Sequence, residues 1–244
     1  MALTEEFEQS GSWLFKRRGY LPIVLLAAGI IVLMLNELNP DRNFLITDIV
    51  CLFISFLGLA IRAFTIGHTP KNTSGRNIKA QKAEVVNTAG IYSIVRHPLY
   101  LGNFVIWLGL SLFTESPFFI VIFILAFWLY YERIMFAEEQ FLKRKFGKKY
   151  EEWANKTPSF FPAFSNWAPG NLPFSWKNIL KREYNGFGNI IFAFTILAIV
   201  RNYSITGNWY PELRWIIIFF TGLIIWVLVR TIEKKTNLFN VEGR

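Results

Sequence analysis

Apolar residues gather along the chain into runs parted by polar, glycine-rich or proline-rich stretches. The runs cover 21–36, 44–64, 100–113, 117–131, 188–200 and 215–229. Each lacks the strict alternation of a half-buried strand and reads as a helix. Several fall short of the roughly 20 residues that a straight spanning helix needs. The run 100–131 reads as a helical hairpin turning at Thr114-Glu115-Ser116-Pro117. The pattern predicts an all-α polytopic membrane protein with about six transmembrane helices, organised as one domain over residues 1–244.

Two long polar segments separate the runs. The first, 65–100, is rich in Gly, Asn, Ser and Thr and carries His68, Lys71, Arg76, Lys79, Lys82, Arg96 and His97. The second, 132–187, opens as a continuation of the fourth run and ends in "TPSFFPAFSNWAPGNLPFSW". Its aromatic residues suit a loop lying in a membrane interface or packed against the core. At 100° per residue, Met135, Glu138, Glu139, Leu142 and Phe146 share one stripe. Two carboxylates on an apolar stripe have two readings. One is a surface pair in which Glu139 meets Lys143 at i+4. The other is a buried pair that needs a cation or several donors.

Composition strengthens the membrane reading: 53% of residues are hydrophobic and 18% aromatic. Charge adds sidedness. With a cytosolic N-terminus, Arg42, Arg201 and Arg214 face outward and the remaining 23 of the 26 basic residues face the cytosol or the inner helix ends. Both termini are then cytosolic. This asymmetry and contact with anionic headgroups explain the net charge of +9 without a nucleic acid partner. The first 20 residues carry Glu5, Glu6, Glu8, Lys16, Arg17 and Arg18 and do not read as a cleaved signal peptide. The single cysteine, Cys51, forms no internal disulfide, and with His68 and His97 as the only histidines no metal site is expected. "GFGNI" at Gly186 lacks the third glycine and the preceding strand of a dinucleotide loop.

Chemistry concentrates in two motifs. Gly90, Tyr92, Arg96, His97, Pro98, Tyr100 and Gly102 fit G-x-Y-x-x-x-R-H-P-x-Y-x-G. Arg133, Glu138, Glu139, Leu142, Phe146, Gly147 and Tyr150 fit R-x-x-x-x-E-E-x-x-L-x-x-x-F-G-x-x-Y. In this order and spacing they resemble the membrane methyltransferase superfamily, which includes isoprenylcysteine carboxyl methyltransferases and phospholipid methyltransferases. The resemblance covers about 57–162, the expected core, with 1–56 and 163–244 as flanking helices and interfacial segments. It implies S-adenosylmethionine as cofactor, bound from the cytosolic side by Tyr92, Arg96, His97, Pro98, Tyr100, Gly102, Glu138 and Glu139. Arginine offers a planar fork for a carboxylate, Pro98 suits the first turn of a helix, and aromatic faces attract a sulfonium.

The family methylates membrane-embedded acceptors. The stretch 67–103 most resembles a bacterial branch acting on a phosphate of lipid A, which places the protein in a bacterial inner membrane. Anionic oxygens need no deprotonation before methyl transfer, whereas an ammonium does. His68 and Arg76 are the catalytic candidates on the acceptor side, with Arg62, Lys71, Ser74 and Asn77 as substrate-binding candidates. "TSGRN" mixes small donors with an arginine, a combination suited to phosphate. A phospholipid amine and a prenylcysteine carboxylate are the alternative acceptors. A lipid-binding scaffold without chemistry is the alternative of another class, and no obligate protein partner is evident.

Overall fold

The computed structural model describes residues 2–39, 41–70, 83–170 and 172–243. Among them are eight α-helices: α1 (Leu3–Lys16), α2 (Tyr20–Leu35), α3 (Leu45–Gly67), α4 (Pro98–Leu112), α5 (Pro117–Phe146), α6 (Lys148–Ala154), α7 (Trp176–Thr206) and α8 (Leu213–Lys235). The architecture is all-α. The one β contact among these residues is an isolated bridge between Gly90 and Ala168.

Each apolar run forms the body of one helix, from α2 to α5 and then α7 and α8. Local signals set the ends. Ser116 accepts from the Phe119 amide and Pro117 opens α5, where its missing N–H matters least. Gly147 and Gly207 close α5 and α7 at φ of 53° and 72°, a backbone region that costs glycine little. α7 departs from expectation, because it begins twelve residues before its apolar run. The Ser175 hydroxyl caps it by accepting from the Asn178 amide, so the polar stretch 177–187, which lies outside every apolar run, is helix.

By length and composition, α3, α5, α7 and α8 are each sufficient to cross a membrane. A fifth candidate is α1 with α2, bent by 76°. α4, at 15 residues, is apolar but short. The six runs are therefore six helices, four of which meet the length requirement alone.

Small residues bring α3 and α4 together. A Cβ at Gly58 would stand 2.6 Å from the Gly102 carbonyl oxygen, and one at Gly102 would stand 2.8 Å from that of Gly58. Such small-residue seams let backbones approach where no water drives helices together. Beside this seam, Ser55 donates to the Ile106 carbonyl at 2.8 Å. α1 lies along the later turns of α5: Tyr130 donates to the Leu14 carbonyl, Arg133 to Ser10 and Arg144 to Glu8.

The ends of the bundle differ in chemistry. At one end, Arg201 grips Asp48 with two hydrogen bonds of 2.7 and 2.9 Å. Arg214 reaches the same carboxylate at 3.0 Å and the Trp215 indole N–H at 3.3 Å. Arg42 pairs with Glu115, which lies in the turn that opens α5. The three arginines expected on one face thus share that end. The motif residues occupy the other.

Candidate active site

The first motif is held before it reaches its helix. The amides of Arg96 and His97 donate to the carbonyls of Pro158 and Ser159, and Ala163 donates back to Ile94. Gly90 donates to Ala168, whose own amide donates to the Ser93 hydroxyl. Residues 90–97 are thereby laced to 158–168. His97 then caps α4, with Pro98 in the first turn.

α5 carries Glu138 and Glu139 past this cap. His97 Nε2 lies 3.0 Å from Glu139 Oε1, and Nδ1 lies 3.7 Å from Glu138 Oε2. An ionised carboxylate only accepts, so the geometry assigns a proton to Nε2. Tyr100 donates to Glu138 Oε1 at 2.8 Å, with its ring stacked 5.7 Å from His97 and tilted against Tyr131 at 4.8 Å. Arg96 donates to the Ala154 carbonyl through one terminal nitrogen. Its Nε is 3.0 Å from Glu139 Oε1 but out of line for a hydrogen bond, a buried donor left unmatched. The buried Tyr150 hydroxyl faces Glu139 but makes no hydrogen bond of good geometry. Burial pushes the Tyr150 phenol well above its ordinary pKa, and the Glu139 charge adds to the shift. Burial does the same to Tyr92, so both phenols remain neutral donors at physiological pH.

Of the residues named from sequence, Tyr92, Arg96, His97, Pro98, Tyr100, Glu138 and Glu139 come together here. Gly102 serves the α3–α4 seam: a Cβ there would fall 2.5 Å from Arg62 Cγ. Lys143 pairs with Glu151 at 2.9 Å, leaving Glu139 to His97 and Arg96. The surface i+4 pair is thereby replaced by a buried cluster. Arg62 is engaged by Glu183 and Asn103. His68 ends α3, its ring 4.7 and 5.2 Å from Phe64 and Phe174, and its Nδ1 3.1 Å from the Phe64 carbonyl. Lys71, Ser74, Arg76 and Asn77 lie outside the described residues.

Sequence reasoning passed over Asn103, Tyr131 and Glu183, and named Tyr150 in the second motif without giving it a role. Asn103 had a readable signal, as an amide inside an apolar run. Glu183 sat among other charges, beyond the aromatic stretch read as an interfacial loop and before the next apolar run.

Residues 71–149 match the model of a family described as phospholipid methyltransferase. The "Nickel-cobalt-cadmium resistance protein NccN" of Alcaligenes xylosoxydans xylosoxydans is 41% identical over 88 residues, 36% of this chain and 41% of that protein. The "Probable protein-S-isoprenylcysteine O-methyltransferase" of Oryza sativa subsp. indica is 33% identical over 121 residues, 45% of this chain and 62% of that one. The "Protein-S-isoprenylcysteine O-methyltransferase" of Schizosaccharomyces pombe is 34% identical over 84 residues, 34% of this chain and 36% of that one. The chain thus spans between 36% and 62% of these relatives' own lengths. No solved structure matches. The matched stretch carries the first motif and all of the second but its final Tyr150, and over it the chain is similar to the membrane methyltransferases of phospholipids and of isoprenylcysteine carboxylates.

Proposed function

We propose that the protein is an S-adenosylmethionine-dependent methyltransferase that methylates an anionic oxygen on a membrane-embedded acceptor. The observation that carries this reading is the convergence of Glu138, Glu139, His97 and Tyr100 beside two unmatched buried donors, Arg96 Nε and the Tyr150 hydroxyl. The donor set fits the cofactor. Two carboxylates have more acceptor sites than their protein partners fill, which suits an ammonium or ribose hydroxyls. The Tyr100 and Tyr131 rings offer faces to a cation. Arg96 Nε and Tyr150 offer donors to a carboxylate or ring nitrogen.

When bound, the cofactor supplies a methyl on a sulfonium: an O–CH3 bond forms at the acceptor, the S–CH3 bond breaks, and the electron pair returns to sulfur. An acceptor oxygen that is already anionic gives up no proton, so the site needs no general base. The chain's own part is to hold and orient. His97 keeps Glu139 in place, Tyr100 keeps Glu138 in place, and positioning lowers the barrier.

For the acceptor, a lipid phosphate such as that of lipid A remains the narrower reading. It rests on Lys71, Ser74, Arg76 and Asn77. A prenylcysteine carboxylate is the second reading, supported by the activity for which the plant and yeast relatives are named. Purified protein with labelled S-adenosylmethionine should methylate one of two probes, total bacterial lipid extract or a farnesylcysteine analogue. Mass spectrometry would then identify a methyl ester of phosphate or of carboxylate. A methylated amine, or binding of neither cofactor nor probe, overturns the reading.

The proposed topology has six crossings, with the site and both termini in the cytosol. Glu37 and Asn166 are exposed and belong to opposite ends of the bundle. In a Cys51→Ala background, a cysteine at Glu37 should react with an impermeant thiol reagent on intact spheroplasts. One at Asn166 should react only after lysis. The reverse pattern would invert the orientation.

A further inference from the structure

Three polar side chains meet where helices α3, α4 and α7 pack: Arg62, Asn103 and Glu183. Arg62 donates from Nε and one terminal nitrogen to the two oxygens of Glu183 at 2.8 and 2.7 Å. Its other terminal nitrogen donates to Asn103 Oδ1 at 2.7 Å. Asn103 Nδ2 faces the Tyr131 hydroxyl at 3.4 Å. The Tyr131 ring lies 4.8 Å from Tyr100, which holds Glu138. The line from Glu183 to Glu138 is continuous. Two glycines make room for it. A Cβ at Gly102 would meet Arg62 Cγ at 2.5 Å, and one at Gly186 would meet Glu183 Oε2 at 3.0 Å.

An ion pair of this kind is a poor way to stabilise a fold, since apolar replacements of similar size are often neutral or better. Its geometry is its distinctive product. A bidentate fork fixes the guanidinium plane, and the third donor then fixes the Asn103 amide.

We propose that Glu183 is a positioning residue for the active site: it locks Arg62, which through Asn103 sets the Tyr131 hydroxyl and ring against Tyr100 beside Glu138. The inference rests on the methyl-transfer reading. Glu183 lies outside the matched residues 71–149, so the role comes from α7, a helix that contributes no motif.

The test compares wild type with Arg62→Met/Glu183→Leu and with Asn103→Leu, each as full chain in detergent. Turnover is read as label moved from S-adenosylmethionine to total lipid extract or the farnesylcysteine analogue, and cofactor affinity by calorimetry. The double variant should melt near wild type, yet kcat should fall about 30-fold in both variants, the scale of a small misplacement. Cofactor Kd should rise by a smaller factor, about three- to tenfold, because Tyr131 lines the proposed cofactor site while Tyr100 keeps its own hydrogen bond to Glu138. Asn103→Leu leaves the ion pair intact, so it decides the matter if the double variant misfolds. Retained kcat in Asn103→Leu, or in a folded double variant, means the pair is only a packing device and overturns the inference. A wild type that neither binds cofactor nor transfers label overturns the methyl-transfer reading, and this inference with it.

Discussion

Asp48→Ala is expected to destabilise the protein by about 3–5 kcal/mol, the cost of removing one partner from a buried ion pair. Asp48 is 2% exposed and serves three donors at once: Arg201, Arg214 and the Trp215 indole. Arg201 is 3% exposed, with its guanidinium 4.4 and 4.1 Å from the Phe44 and Phe113 ring centroids. Those faces attract a cation but do not replace a carboxylate. Without Asp48 the charge must stay buried unpaired or drag α7 from its seat. Denaturant titration in detergent reads the loss. Arg42→Ala is the control, since Arg42 is half exposed in its pair with Glu115 and should cost at most about 1 kcal/mol. Equal losses for the two variants would show that burial is not what gives the Asp48 cluster its weight.

Glu139→Gln should weaken S-adenosylmethionine binding by about 1.5–3 kcal/mol, the range for a hydrogen bond to a charged group. That is roughly a 10- to 150-fold rise in Kd. The amide also turns one acceptor into a donor facing His97 Nε2 and Arg96, so the cluster loses alignment as well as charge. His97→Ala should act in the same direction by freeing Glu139. Calorimetry on folded, detergent-purified variants checks both. Unchanged affinity in both would remove the second motif from the cofactor site.

The helices and the site were legible to different depths. Apolar runs located six helix bodies because membrane burial demands continuous apolar surface. They could not locate α7's start, because residues 177–187 are polar and follow a proline-rich stretch. What begins the helix there is a single serine cap, a local hydrogen bond that hydropathy does not register. The stripe at Glu138 and Glu139 left a surface pair and a protein-facing pair both open, and the carboxylates face His97, Arg96 and Tyr100. Their partners were not deducible from periodicity. His97 comes from 42 residues earlier in the chain, and Tyr150 from beyond a helix break at Gly147. Arg62 was read as a substrate contact from its charge near the motif. Its engagement by Glu183 depends on how α3 and α7 pack, which no local pattern encodes.

The docking of α1 has a consequence in time. Ser10 meets Arg133 across 123 residues and Glu8 meets Arg144 across 136. A ribosome adding about 5–20 residues per second makes α1 first and its seat on α5 roughly 6–25 s later. Until then the helix lacks its seat on α5. Its apolar side, with Leu3, Phe7 and Leu14, is suited to wait on the bilayer surface as an interfacial helix does. Gly11 must finally slide beneath the Arg133 carbonyl, so the first helix synthesised waits for the fifth before it reaches its place.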